Sequence, residues 1–406
     1  AIRLRPITIA VSKAMVRILN RPVLEFILLE LAINGVEEVY LATRGYRNYR
    51  DVYDYFREGY WFSKRYPFID HDIRIRYMLR YETSGNAEAV KIVASYYGIE
   101  EPFIVVQCDD LFKLNISDVY EFHRKVGADM TIVLKEHKDV GDFGVAVIDS
   151  EGRILKFVEK PRPEERVGNL INTGIYIVEP SVLKFFDTEL GQRMFREGKS
   201  DFGRDIIPKL VELGYRVYGY VMKDGFWFDI GTPERYLEAM KFLLKLRDPR
   251  ILEAEEKVEG VFMQGRRAKS LELHKTIIEK YSRGLIRFAG VNLIGRHVHI
   301  DDNVYIENAN IDNYCFIGPN TYIHSSAVMD RTYIEGDVEI VNSIIGRHVY
   351  IERGAAIINS CIGDNAHISS GAKLINTKVW PHTKVPSKVY LENFEAKNPL
   401  IELPYV

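Results

Sequence analysis

From Ile294 onward, aliphatic residues recur six positions apart: Ile294, Ile300 and Ile306, then Ile317 and Ile323, Ile334 and Ile340, Ile351 and Ile357, Ile368 and Leu374. Occasional five-residue steps insert Ile311, Val328, Ile345, Ile362 and Val379. Two positions before many of these stands a small or β-branched residue, among them Val298, Val304, Thr321, Thr332, Val338, Val349, Ala355, Ala366 and Ala372. A six-residue period is too long for a helical face and too regular for a loop. It fits a parallel β-helix in which each short strand forms one side of a triangular coil. The aliphatic residue is expected to point into the narrow core, the small residue to fit beside it and the next residue to turn the corner. A β-sandwich would instead show period two and irregular turns. The flat faces of such a prism pair readily with copies of themselves, so a homo-oligomer assembled through the β-helix is expected.

The first ~240 residues alternate helix-like and strand-like segments, the pattern of an α/β domain. Pro22 to Asn34 has helical apolar spacing and runs to Gly35, a C-cap residue. Glu38 to Ala42 reads as a strand, and Asp51 to Phe56 as part of an amphipathic helix. Pro102 to Gln107 is an apolar run that reads as a fully buried parallel strand, and it stops at Cys108-Asp109-Asp110. Met130 to Leu134 gives another strand, and Val145 to Ile148 with Ile154 to Val158 flank a hairpin-like turn at Ser150-Glu151-Gly152. The expected organisation is an α/β domain over 1–243, a charged connection over 244–288, the β-helix over 289–388 and a tail over 389–406. The chain opens at Ala1 and runs directly into Arg3-Leu4-Arg5-Pro6, without an opening strand. The expectation is that an N-terminal strand lies upstream and that the chain as given turns over poorly.

Composition narrows the class. A formal net charge of -2 argues against a general nucleic-acid binder. The clusters Arg44-Arg47-Arg50 and Arg266-Arg267-Lys269 read as solvated faces. Three cysteines, Cys108, Cys315 and Cys361, form no C-x-x-C pair. This excludes a disulfide framework or structural zinc site and points to a reducing compartment. No apolar run approaches the ~18 residues that span a membrane, so no membrane partner is expected and the cytoplasm is the expected location.

Two carboxylates stand at the ends of apolar strands: Asp109, and Asp229 after Phe226-Trp227-Phe228. Together they fit a Mg²⁺ site, since that ion binds through one or two carboxylates plus substrate phosphates. They fit equally two turn caps, because Asp-Ile-Gly-Thr-Pro is by itself a good turn. Arg3, Lys13 and Lys160 fit either a phosphate grip or ordinary surface charge.

A resemblance orders these residues. Arg3-Leu4-Arg5-Pro6 with Lys13 resembles the end of the signature G-G-x-G-T-R-L-x-P…P-K-P of nucleoside-diphosphate-sugar pyrophosphorylases. Gly85-Asn86-Ala87 is similar to that family's G-T-A, Gln107-Cys108-Asp109 to its N-G-D and Phe143-Gly144-Val145 to its Y-G-V. Phe157-Val158-Glu159-Lys160-Pro161 resembles F-V-E-K-P, Asn172-Thr173-Gly174-Ile175-Tyr176 resembles N-A-G-I-Y, and Asp229-Ile230-Gly231-Thr232-Pro233 resembles D-I-G-T-P. The resemblance implies a Rossmann-like α/β nucleotidyltransferase domain with a mostly parallel sheet, followed by a left-handed parallel β-helix of hexapeptide repeats. It implies that Arg3 and Lys13 grip a triphosphate, that Asp109 and Asp229 hold Mg²⁺, and that Lys160 contacts a sugar-1-phosphate. It further implies that Gly85 lies near the base and that Gly144, Glu159, Asn172 and Gly174 line the sugar pocket. The sequence departs from the family pattern at Ala1-Ile2, Cys108 and Asn86, and at Ser12 and Ala14 around Lys13.

The implied reaction joins a nucleoside triphosphate and a sugar-1-phosphate into an NDP-sugar, releasing pyrophosphate. Val379-Trp380-Pro381 with Thr383-Lys384-Val385 looks like the β-helix end of guanylyltransferases, which favours mannose-1-phosphate with GTP over glucose-1-phosphate with UTP, dTTP or ATP. Two other functions stay open. One is a catalytically inactive regulatory homologue resembling the exchange subunits of a translation initiation factor. The other is a second, acyltransferase activity in the β-helix, with His324, His348, His367 and His382 as candidate bases.

Overall fold

The computed structural model describes residues 3–80 and 83–397. Ala1-Ile2 and the end of the expected tail, 398–406, lie outside the described residues. The chain forms two compact units, one of Ile27–Trp227 and one of Ala1–Phe26 with Phe228–Val406.

The run expected to be helical over Pro22–Asn34 folds as α1 (Val23–Ile33). It is apolar on nearly every side and buried along most of its length, as a core helix must be. The chain leaves it through Gly35 at φ +80. Strand β1 (Glu38–Arg44), helix α2 (Tyr46–Phe56) and strand β2 (Arg74–Arg80) follow, with β1 and β2 paired in parallel. Next come α3 (Asn86–Tyr97), β3 (Phe103–Val106) and β4 (Asp110–Lys113).

The centre of the 27–227 unit is β5 (Met130–Glu136), buried through Leu134. Later in the chain lie β6 (Gly144–Ile148), β7 (Ile154–Glu159), β8 (Leu170–Val178) and β9 (Val217–Val221). β5 pairs in parallel with β9 and antiparallel with β8. β8 also runs antiparallel to β3 and β6, and β6 with β7 forms the expected hairpin. The apolar run over β3, which reads in the sequence as a fully buried parallel strand, is instead half-buried and antiparallel to β8. A short unbroken apolar run carries no information about the sense of its partner. Met130, Ile132 and Leu134 pack with Tyr176, Val178, Phe185 and Phe202 into one core.

In the other unit, the six-residue period winds into a three-sided parallel prism. Ile294 pairs in register with Ile311, and Ile311 with Val328. Ile300 pairs with Ile317 and then Ile334, while Ile306 pairs with Ile323 and then Ile340. Equivalent residues of successive coils are thus 17 apart, as the coil-to-coil hydrogen bonds are. Two six-residue sides and one five-residue side account for the occasional short steps. The aliphatic residues are all fully buried, and the small residues two places before them pack beside them.

The corners are placed differently from the sequence expectation. Positive φ falls at His297, Tyr314, Arg331 and His348 on one corner, at Asn303, Asn320 and Asp337 on the next, and at Asn308, Ser325, Asn342 and Asn359 on the third. These lie two or three positions beyond the aliphatic residue, not immediately after it. Glu307, just past Ile306, still belongs to a strand. The reversal needs one left-handed residue per corner, which Asn tolerates better than most side chains. At one corner the amides also bond from coil to coil: Asn303 Nδ2 donates to Asn320 Oδ1 (2.8 Å), and Asn320 Nδ2 to Asp337 Oδ1 (2.7 Å).

The prism begins before the period becomes visible. Helix α4 (Pro233–Lys245) is followed by β10 (Glu255–Val258), β11 (Val261–Met263), α5 (Ala268–Ser282) and β12 (Ile286–Ala289). β11 pairs in parallel with Asn292–Ile294, and β12 with Val304–Glu307. The sheet that starts with β11 is buried on its outer side too, at Asn310, Ala327, Ile344 and Cys361. The face of His299, Phe316, Tyr333 and Tyr350 carries instead an outward ladder of nearly parallel, stacked rings 4.6–5.4 Å apart. Of the candidate histidines, His324 Nδ1 lies 3.1 Å from Glu307 Oε2 and His367 Nε2 2.6 Å from Glu352 Oε1, while His348 and His382 are corner residues. No helix among the described residues is long and apolar enough to cross a membrane.

Inside and outside positions of one strand are expected to differ sharply in stability. Ile334→Ala should cost about 2–5 kcal/mol through lost burial and a cavity. Tyr333→Ala, which removes a ring from an outer stack, should cost about 0.5–1.5 kcal/mol. Denaturant melts followed by far-UV circular dichroism separate the two; equal losses would contradict the inside-outside assignment.

Candidate active site

In the 27–227 unit, the predicted sugar-pocket residues sit on the β6–β7 hairpin and on β8. Gly144 is on β6, and Glu159 ends β7 directly opposite it. A Cβ at Gly144 would lie 2.6 Å from Glu159 Oε2, and one at Gly203 2.5 Å from the same oxygen. Two glycines therefore make room for a single carboxylate. Burial pushes the Glu159 carboxyl above its usual range, with the Lys160 ammonium opposing and Asp201 reinforcing the shift. Lys160 turns the chain at φ +47 and donates its amide to the Phe143 carbonyl (2.9 Å), and its mostly exposed Nζ lies 3.9 Å from Glu159 Oε1.

Asn172 and Gly174 stand in a register shift of β8 against β5. Such bulges re-aim side chains beside active sites. Asn172 Nδ2 donates to the Tyr176 hydroxyl (2.9 Å), and Asn172 Oδ1 accepts from the Gly174 amide (2.9 Å). Gly174, at φ +75, leaves space for Asp110: a Cβ there would stand 2.9 Å from its Oδ2. Burial raises the Tyr176 hydroxyl, with Asp201, Glu159 and Asp110 adding to it, so these groups share one neighbourhood. Asp109 is half-buried in the turn between β3 and β4.

Gly85 has a structural reason beyond nearness to a ligand. It caps α3 in extended backbone, and a Cβ would come within 2.4 Å of the Ser200 carbonyl oxygen. Asn86, a departure from the family pattern, uses its Oδ1 to accept from the Phe202 amide (2.8 Å).

In the other unit, Arg3, Lys13 and Asp229 come together. Asp229 Oδ2 accepts from Arg235 Nη1 at 2.9 Å, Lys13 Nζ lies 3.7 Å from Oδ1, and Arg3 Nη2 lies 3.8 Å from Oδ2. Thr232 caps α4 by accepting from the Arg235 amide (3.3 Å), which fixes the turn between the aspartate and its arginine. A Cβ at Gly231 would lie 2.7 and 2.8 Å from the two Asp229 oxygens, so this glycine keeps the carboxylate approachable. Three cations thus converge on one buried carboxylate.

Several residues of these two clusters are not marked by the sequence motifs. Arg235 follows Asp229 by six positions, and its signal is the helix start that D-I-G-T-P announces. Asp110 is visible as the second acid at the end of the β3 run. Asp201 and Gly203 lie in a segment with no motif, as does Lys135, whose Nζ donates to the Trp227 carbonyl (3.1 Å).

The chain is similar to known proteins over most of its length. Residues 1–246 match the family described as nucleotidyl transferase, and residues 288–394 match the GMPPB C-terminal domain. The chain is 34% identical over 245 residues to a UTP–glucose-1-phosphate uridylyltransferase of Synechocystis sp., covering 60% of each chain. It is 32% identical over 239 residues to a mannose-1-phosphate guanyltransferase of Aspergillus fumigatus, covering 58% of this chain and 59% of that one. A low-salt glycan biosynthesis nucleotidyltransferase of Haloferax volcanii matches at 25% identity over 78% of this chain and 84% of its own length. The matches to the first two relatives thus span about 60% of their length. A crystal structure of UDP-glucose pyrophosphorylase complexed with UDP-glucose shares the fold, with a TM-score of 0.50 and 24% identity over 61% of this chain and 95% of that one. With its first 246 residues matched throughout, the chain belongs to the nucleotidyl transferase family.

Proposed function

We propose that this chain transfers a nucleotidyl group from a nucleoside triphosphate to a sugar-1-phosphate, with mannose-1-phosphate and GTP slightly favoured. The observation that carries the reading is the convergence of Arg3, Lys13 and Arg235 on Asp229. Nucleotidyl transfer asks for positive charge and positioning, not a covalent nucleophile. A phosphate oxygen of the sugar-1-phosphate attacks the α-phosphorus in line, the bond to the β-phosphate oxygen breaks, and pyrophosphate leaves. Arg3 and Lys13 bind the triphosphate, and Lys160 binds the phosphate of the sugar. Glu159 and Asn172 accept and donate hydrogen bonds to the sugar hydroxyls in space kept by Gly144 and Gly174. Gly85 lies near the base.

Members of this family generally use a divalent metal, and we assign it, as Mg²⁺, to Asp109 and Asp229. Hard carboxylate oxygens suit that ion, and Gly231 places no side chain where a Cβ would come within 2.7 and 2.8 Å of the two Asp229 oxygens. When bound, the ion neutralises charge on the phosphates. The exposed Cys108 and the buried Cys315 and Cys361, none in a disulfide, suit the reducing cytoplasm. The ring ladder on the solenoid supports association of copies through that face.

Pyrophosphate release over a grid of nucleoside triphosphates and sugar-1-phosphates tests the reading, in this chain and in any longer form its gene encodes. One dominant pair supports it; a blank grid from folded protein rejects it. In the active form, Asp229→Asn and Asp109→Asn should each lower metal-dependent kcat roughly 100-fold or more. A loss of less than threefold in either variant would remove that residue from the metal site.

Glu159 gives a pH signature. Its carboxyl is raised by burial, so it takes up a proton above the ordinary carboxylate value of about 4.3. The KM for sugar phosphate should therefore rise as pH falls through that raised value. Glu159→Gln should have a higher KM that no longer changes with pH; a wild-type-like acid limb in the variant would exclude Glu159 as its source.

A further inference from the structure

The segment bearing Arg3 and Lys13 ends in a hairpin, Arg17–Ile18 against Arg21–Pro22, whose polar residues are largely buried. Leu19 and Asn20 turn it at φ +46 and +70. Arg17 Nη2 donates to Asp312 Oδ1 at 3.2 Å, and its Nε lies 3.1 Å from Oδ2. Asn20 donates to Gln264 Oε1 (2.9 Å) and accepts from Asn310 Nδ2 (2.8 Å). Arg21 lies 3.8 Å from Glu25 and 3.7 Å from Glu253. The Arg17 carbonyl accepts from the Tyr236 hydroxyl (2.7 Å), and Tyr236 is next in sequence to Arg235, which binds Asp229. A continuous chain of bonded groups thus joins the solenoid to the cation cluster within one compact unit.

The coil itself gives no reason for a carboxylate at 312. The residues stacked at the same place in other coils are Gly295, Met329, Gly346, Gly363 and Trp380. The Asp312 side chain is 1% exposed, and ionising so buried a group is costly unless a partner is fixed beside it. Resting on the function proposed above, we infer that Asp312 is a positioning residue for the nucleotide end of the reaction. Its pair with Arg17 holds the hairpin, and with it the segment that presents Arg3 and Lys13 to the triphosphate.

The charged groups facing Asp312 are Arg17, Asp330 and Arg296, together with the Asn313 amide. Burial pushes its carboxyl up to about 6, Arg17 pulling the other way. The value is above the unfolded one of about 3.9, so protonation favours the folded chain, and stability from this group rises as pH falls through about 6. The pair with Arg17 is lost in the same window. A purely structural role would therefore leave acid-side ligand binding untouched, whereas a positioning role weakens it without loss of stability from this group.

The test compares wild type with Asp312→Asn and Arg17→Lys by hydrogen exchange, by binding of inorganic tripolyphosphate and by steady-state kinetics. In Asp312→Asn, amides of residues 13–22 should exchange about tenfold faster while solenoid core strands keep their protection. Tripolyphosphate affinity should fall about tenfold, and KM for the nucleoside triphosphate should rise by the same factor with kcat within about threefold. Arg17→Lys, which keeps the charge, should recover part of the loss. Between about pH 7.5 and pH 5.5, where tripolyphosphate itself takes up a proton and binds both proteins less well, the ratio of wild-type to Asp312→Asn affinity should fall towards one. Unchanged exchange at 13–22 and unchanged tripolyphosphate binding would overturn the inference. Should Asp312→Asn not fold, Arg17→Lys and wild-type amide exchange at 13–22 over the same pH range make the comparison. An inactive chain would sink the proposed function alone, since exchange and tripolyphosphate binding still decide the role of Asp312.

Discussion

A parallel coil that closes every 17 residues stacks each residue on its counterpart in the coils on either side, and the chemistry of each column follows from that stacking. Inward columns must be aliphatic because the prism is too narrow for water, and Ile300, Ile317, Ile334, Ile351 and Ile368 form one such column. Corner columns must accept positive φ, which explains why Asn recurs there. A hydroxyl column runs through Ser326, Ser343, Ser360 and Thr377, where each hydroxyl of the first three accepts from the backbone amide of the next coil at 3.0 Å. Residues that break their column are consequently informative. Asn310 and Asp312 break theirs side by side, where Arg17 and Asn20 reach the coil.

The two clusters that carry the chemistry solve opposite electrostatic problems. In the 27–227 unit, a carboxylate is kept in a buried place by omitting side chains: Gly144 and Gly203 both yield to Glu159. A sugar offers hydroxyls, which are weak partners in water and better ones where water is excluded. In the other unit, Arg3, Lys13 and Arg235 gather around Asp229, and Arg3 and Lys13 keep part of their surface in solvent. On the function proposed, the first arrangement would give specificity through shape and hydrogen bonding, and the second affinity for phosphate.

The sequence was most legible where one residue type repeats under one constraint. Ile294 through Val379 announces the prism because every inward position obeys the same rule. The corners were misplaced by two or three residues because a period locates the buried residue, not the turn between buried residues. β11 and β12 went unseen, since Val261–Met263 and Ile286–Ala289 precede the period and are separated by α5. Gly144, Glu159, Asn172 and Gly174 were legible through motifs, whereas Asp201 and Gly203 come from a segment without one. Their role exists only after folding brings that segment against β7. Arg235 and Arg17 show the same limit: a lone arginine carries no pattern, and its partner is fixed by tertiary structure alone.

Asp312 also separates what holds the fold together from what the fold is for. A buried ion pair is weak evidence of stabilisation, because removing two charges from water costs about as much as their attraction returns. The raised carboxyl of Asp312 shows this directly: the folded chain favours the neutral acid over the carboxylate when compared with the unfolded chain. An apolar residue at 312, like Met329 one coil on, would satisfy the prism better. What the carboxylate adds is direction. Arg17 Nη2 donates one hydrogen bond to it and Nε lies close to its other oxygen, which holds the guanidinium at one place beside the coil. Tyr236 restrains the same residue from its carbonyl side. A hairpin tied at both ends of one arginine has little freedom to shift the cations upstream of it, and for a reaction that relies on placement of charge that restriction matters more than the stability it costs.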